Sequence, residues 1–122
     1  MLEKIFKIER KESVCTSLDE FRQALTETDL TRFGRYQVYV HERAHFEKAK
    51  KLGYDAELVL AKIQLTIFGK LIEYNNSYST RTISKNGQAV LPDHQLQISL
   101  APKNPSQRDY QKAGRILAQI SN

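Results

Sequence analysis

Apolar residues in this 122-residue chain keep two different rhythms, and neither lasts long enough to build a domain alone. In Phe6–Arg10 the apolar Phe6 and Ile8 alternate with the charged Lys7 and Glu9, as a half-buried strand requires. Elsewhere the apolar positions step by three and four, as the buried stripe of a helix does. Five glycines and three prolines punctuate the chain at turn positions, with no repeat, low-complexity tract or linker between them. These features predict a single α+β domain over residues 1–122, with a mainly antiparallel sheet and helices packed on one face.

Local signals give an approximate order of β-α-β-α-α-β-β-β-α. Phe6–Arg10 reads as a strand, with a short helix through Leu2, Ile5 and Phe6 as the competing reading. Ser17-Leu18-Asp19-Glu20 is a capping box opening a helix with the stripe Leu18, Phe21 and Leu25, ending near Glu27. Tyr36–Val40, β-branched and aromatic after Gly34, reads as a strand. A short basic helix follows, with Phe46, Ala49 and Leu52 on one side, Lys48, Lys50 and Lys51 in its last turn, and Gly53 as its stop. From Asp55 the recurrence of Ala56, Val59, Leu60, Ile63, Ile67 and Leu71 predicts a second helix, although Ile63–Ile67 also alternates like a strand. Asn86-Gly87 between Thr82–Lys85 and Gln88–Leu91 predicts a type I′ hairpin pairing Ile83 with Val90. Leu96, Ile98 and Leu100 alternate as a further strand. Ser106, with Asp109 three residues on, opens a last helix with the stripe Tyr110, Ala113, Leu117 and Ile120.

Composition excludes several classes. The chain is 40% hydrophobic and 27% charged, which are globular values. No apolar run approaches the ~18 residues of a membrane span, and the first twelve residues lack the apolar core of a secretory signal. A single cysteine, Cys15, has no internal disulfide partner, so a reducing cytoplasm is the expected setting and a structural role the expected use. Nothing resembles a phosphate-cradling glycine loop, a Cys/His zinc cluster or a Gly-x-Ser-x-Gly elbow.

The net charge of +5 gathers toward the carboxyl end: residues 1–34 carry −1, residues 35–74 carry +2 and residues 75–122 carry +4. Arg81, Lys85, Lys103, Arg108, Lys112 and Arg115 are the cations of that last segment. Arg108, Lys112 and Arg115 stand at i, i+4 and i+7, on one side of the last helix. Such a cluster suits phosphates or carboxylates, and Tyr74 and Tyr78 are candidates for stacking on bases.

One run carries a chemical mechanism. His41-Glu42-Arg43-Ala44-His45 spells His-Glu-x-x-His, in which two imidazoles one helical turn apart bind zinc while the glutamate acts as general base. Its context argues against that use. Arg43 occupies a position usually apolar, the preceding strand puts His41 at an element boundary, and catalytic zinc needs a third protein ligand. His94 is the remaining histidine, with Glu57 and Glu73 as acidic alternatives.

The balance predicts a small, non-enzymatic, cytoplasmic binding module without cofactor. As an accessory or regulatory factor, it would contact nucleic acid or an acidic protein surface through Arg81, Lys85, Lys103, Arg108, Lys112 and Arg115. The alternatives are a zinc hydrolase using His41, His45 and His94 as ligands with Glu42 as base, and a structural or inhibitory protein acting through a strand edge or a homodimer contact.

Overall fold

The computed structural model describes residues 6–84 and 87–121. Within them, β1 (Phe6–Cys15), β2 (Asp55–Ile67) and β3 (Lys70–Ile83) form an antiparallel sheet in the order β1-β2-β3. The helices are α1 (Leu18–Leu25), α2 (Arg32–Lys51), α3 (Pro92–Ser99) and α4 (Gln107–Ser121). The α+β class read from the two apolar rhythms is the class observed.

β2 lies in the middle of the sheet and sets the core. It runs in register from Phe6↔Ile67 to Cys15↔Leu58 against β1, and from Ile67↔Lys70 to Asp55↔Ile83 against β3, with an irregularity between Ala61 and Ile63. Ala56, Leu58 and Leu60 alternate onto one face. They join Phe21 and Leu25 of α1, Phe46 and Ala49 of α2 and Ile98 of α3 in a single apolar cluster. Phe21, Leu25 and Leu58 are at most 1% exposed, and burying each contributes about 1.5–3 kcal/mol relative to leaving it in water.

Helix ends follow their side chains. Ser17 Oγ accepts from the Glu20 amide at 3.2 Å to start α1, and Thr31 Oγ1 accepts from the Gly34 amide at 3.0 Å to start α2. At the other end of α2, Lys48, Lys50 and Lys51 fill the last turn and Gly53 takes φ 95 beyond it, as the sequence predicts.

Several elements differ from their sequence reading. Tyr36–Val40 is the interior of α2, not a strand. Val38 packs against the core cluster, and Glu42, His45, Phe46 and Ala49 are buried behind it at three- and four-residue steps. Tertiary burial of that stripe overrides the β propensity of the segment. Residues 55–67 are β2 rather than a helix. As a middle strand it buries Val59 and Ala61 on its second face as well, so its apolar run is nearly continuous and mimics helical spacing.

The hairpin observed joins β2 to β3 through Phe68-Gly69, both at positive φ (50 and 78). Lys85 and Asn86 of the expected Asn-Gly turn lie outside the described residues, as do Leu2 and Ile5 of the competing first helix. Gln88–Leu91 is not a strand, and Ile83 pairs with Asp55 instead of Val90. Leu96–Leu100 belongs to α3 and its end, where Pro92 starts a helix as an N-terminal residue rather than breaking a strand. In α4 the buried positions are Ala113 and Ile116; Tyr110, Leu117 and Ile120 are exposed.

Candidate functional site

His41, Glu42 and His45 stand in the middle of α2, where helical geometry is regular. The expectation that His41 marks an element boundary is thereby corrected. The four-residue step brings the two imidazoles together, with ring centroids 5.0 Å apart and planes at 78°.

The third group comes from α4. Ser106 and Asp109 cap that helix reciprocally: Ser106 Oγ accepts from the Asp109 amide at 3.1 Å, and Asp109 Oδ2 accepts from the Ser106 amide at 2.9 Å. The cap fixes the carboxylate at the start of α4, facing both histidines. Asp109 Oδ2 lies 3.0 Å from His41 Nε2, and Asp109 Oδ1 lies 3.2 Å from His45 Nε2. One donor atom from each of the three residues falls within 4.8 Å of the others. A tetrahedral zinc with bonds near 2.0–2.1 Å holds its ligand atoms about 3.3 Å apart; the three residues could hold such an ion, while the 3.0 and 3.2 Å contacts are also those of histidine–carboxylate pairs.

His45 is oriented from behind. Its Nδ1 lies 2.7 Å from the Ile98 carbonyl, in the C-terminal turn of α3. The carbonyl is an acceptor, so Nδ1 carries the proton and in the neutral ring Nε2 presents a lone pair to Asp109. Burial pulls the His45 pKa down, against the opposing influence of the Ile98 carbonyl and the Asp109 charge, which favours that neutral form. For Asp109 burial pushes upward, yet the Ser106 amide and hydroxyl and the two histidines prevail and hold the carboxyl below its ordinary range.

Glu42 points to the other flank of the site and is 6% exposed. Thr80 Oγ1, on β3, donates to Glu42 Oε1 at 2.9 Å. Burial raises the Glu42 pKa to about 7; the negative charge of Asp109 adds to the rise, while Thr80 and the Arg108 charge offset part of it. A carboxyl near neutrality can take and return protons at physiological pH.

A cleft of about 350 Å³ opens over these side chains, lined also by Thr80 and Thr82 of β3 and by Arg108, Lys112 and Arg115 of α4. A larger cleft of about 530 Å³ lies beside the end of α1, along Glu27, Asp29 and Lys62, away from the imidazoles. The smaller one holds the His41–His45–Asp109 cluster and Glu42.

The third-ligand candidates read from the sequence sit elsewhere. His94 Nδ1 is hydrogen-bonded to the Tyr54 hydroxyl at 2.7 Å, and that hydroxyl accepts from the Leu91 amide at 3.2 Å. Glu57 pairs with Arg81 at 3.3 Å, and Glu73 pairs with Lys62 at 3.0 Å. Asp109 was legible only as a helix-capping residue; its approach to His41 spans 68 positions, and no local pattern encodes it. Of the six cations, Arg108, Lys112 and Arg115 border the cleft with the histidines. Arg81 is held by Glu12 at 3.0 Å and by Glu57, Lys103 is exposed in the α3–α4 connection, and Lys85 lies outside the described residues. Tyr78 packs against the core. Cys15 is buried, and burial pushes its thiol pKa up, the opposite of what a nucleophile needs.

Among the described residues no helix is long and apolar enough to cross a membrane. No known protein family matches the chain, and no curated protein or solved structure matches it either.

Proposed function

We propose that this protein is a zinc-dependent hydrolase of acyl bonds, with His41, His45 and Asp109 as metal ligands and Glu42 as general base. The observation that supports the reading is that the two imidazoles of one helix and the Asp109 carboxylate of another bring one donor atom each within 4.8 Å of the others. A zinc ion there would supply Lewis acidity and make water easier to deprotonate. The protein's own groups do the rest. The Ile98 carbonyl holds the His45 ring in its ligating tautomer, the Ser106 cap holds Asp109, and Thr80 orients Glu42. In hydrolysis a C–O bond forms and the C–N bond breaks, while Glu42 takes a proton from water and passes it to the leaving nitrogen.

An acyl substrate suits the site better than a phosphodiester. Enzymes that cleave phosphodiesters commonly clamp the phosphate between two metal ions about 3.5–4 Å apart, and the described residues form a single metal-ligand cluster. Metal analysis of protein purified without a His-tag, joined to an assay on generic peptide substrates, tests the reading. About one zinc per chain is expected, with hydrolysis abolished by chelation; zinc below about 0.1 per chain, unaffected by His45→Ala, overturns it.

A second reading is a cytoplasmic, non-enzymatic module that binds nucleic acid or an acidic protein surface. The row of Arg108, Lys112 and Arg115 along the cleft supports it, and the lone buried Cys15 suits a reducing compartment. Binding to oligonucleotides that weakens steeply with salt is its expected signature; binding indifferent to salt contradicts it.

A further inference from the structure

The cleft over the histidines does not stop at them. It shares Thr80, Thr82, Ile98 and Lys112 with a neighbouring cavity of about 290 Å³, so the two form one elongated groove. Residues 78–80 and 82 of β3 follow this groove. β3 is hydrogen-bonded to another strand on one side only, and an edge strand is a template for an extended chain. α4 borders the same space with Arg108, Lys112 and Arg115. Their spacing places them on one side of the helix, ~6 Å and ~4.5 Å apart along its axis. Side chains two residues apart on an extended peptide recur every ~6.8 Å, within reach of such a row by long, flexible cations. Among the described residues no ion pair engages Lys112 or Arg115, in contrast to Arg81. The acidic side chains lining the groove are Asp109, which faces the two histidines, and Glu42, which is buried against Thr80.

We infer that the groove takes an extended polypeptide bearing acidic side chains beside the bond to be cleaved, with Arg108, Lys112 and Arg115 selecting for their carboxylates. The inference rests on the hydrolase reading above and names its substrate class. A nucleic acid would meet the same cations, but Tyr78, the tyrosine lining the groove among the described residues, packs against the core and is poorly placed to stack on a base.

The test uses the full-length, zinc-loaded protein and three octapeptides that differ only at two alternate positions, carrying glutamate, alanine or lysine. Turnover is measured as kcat/KM, and binding by fluorescence anisotropy on the Glu42→Gln protein, which reads recognition without cleavage. The glutamate peptide is expected to exceed the lysine peptide roughly tenfold in both readouts. The double variant Lys112→Glu/Arg115→Glu is expected to bring that ratio to about one or invert it, with unchanged circular dichroism. Equal turnover and equal binding of the three peptides overturn the inference while leaving the hydrolase standing. Preferential binding of the glutamate peptide without cleavage supports the acidic selectivity and removes the hydrolase instead. A single-stranded oligonucleotide that displaces all three peptides at physiological salt overturns the inference in favour of nucleic acid.

Discussion

His45 Nε2 faces Asp109 Oδ1 across 3.2 Å while Nδ1 of the same ring is committed to the Ile98 carbonyl. With the proton on Nδ1 given to the carbonyl, Nε2 donates to Asp109 when the ring carries its second proton, a form that burial opposes and the Asp109 charge favours. In the proposed reading a divalent ion held by His41, His45 and Asp109 would take the place of that second proton.

Metal should therefore stabilise the fold as well as the site. Thermal unfolding is expected to move upward on adding zinc to chelated protein, since a ligand at a thousandfold excess over Kd contributes about 4 kcal/mol. Asp109→Ala and His45→Ala should lose most of that shift. A zinc-independent Tm contradicts the ligand assignment.

Glu42→Gln keeps the size of the side chain and removes its base. The variant is expected to retain zinc and to lose about 10²–10⁴ in kcat, the usual contribution of a positioned general base. Retained turnover would show that Glu42 is a buried structural carboxyl only.

In the metal-free protein the same residue sets a pH dependence of known sign. The folded-state pKa of Glu42, about 7, is raised above the ordinary glutamate value of 4.5. The native state therefore holds a proton that the unfolded chain releases, and stability is fully present below about pH 4.5 and lost as pH rises through 7. The loss is on the order of 3 kcal/mol. His45 is shifted downward, so its contribution runs the other way, with stability rising as pH climbs toward the ordinary histidine value. Urea denaturation of wild type and Glu42→Gln at pH 5 and pH 8 separates the two. The wild type should lose more stability than the variant on going to pH 8; a parallel response contradicts the assignment.

Thr80→Val removes the hydroxyl that donates to Glu42 while keeping the shape of the side chain. A hydrogen bond to a charged group is worth about 1.5–3 kcal/mol, so kcat should fall about tenfold or more with KM little changed and Glu42 still buried. Equal losses in binding and turnover would assign Thr80 to substrate contact instead.

Core and surface should respond differently to truncation. Leu58→Ala, at a fully buried position of the middle strand, is expected to cost about 2–5 kcal/mol. Ile8→Ala, 64% exposed on β1, should change stability by less than about 0.5 kcal/mol. Chemical denaturation measures both, and equal effects would contradict the position of β2 in the sheet.

The sequence carried its boundary chemistry openly and its long-range pairing not at all. Ser17 with Glu20, the lysines before Gly53 and Ser106 with Asp109 are local devices, each acting where its spacing indicates. β2 was hidden by burial on both faces, and the Phe68-Gly69 turn by a phenylalanine in a conformation that usually selects glycine or asparagine. Only the second half of α2 reads as a helix in the sequence: Glu42 and His45 occupy buried positions of its stripe, and these polar side chains break the apolar pattern that would have joined it to Tyr36–Val40. The His-Glu-x-x-His run was visible from the start. Its third partner, Asp109, depended on α4 folding back beside α2, which no single-sequence periodicity reports.

Anomalous diffraction at the zinc edge, from crystals grown with one equivalent of zinc, tests the central claim most directly. The expected result is one strong peak about 2.0–2.2 Å from His41 Nε2, His45 Nε2 and an Asp109 carboxylate oxygen. A map with no peak between them, and both rings still hydrogen-bonded to Asp109, would contradict it.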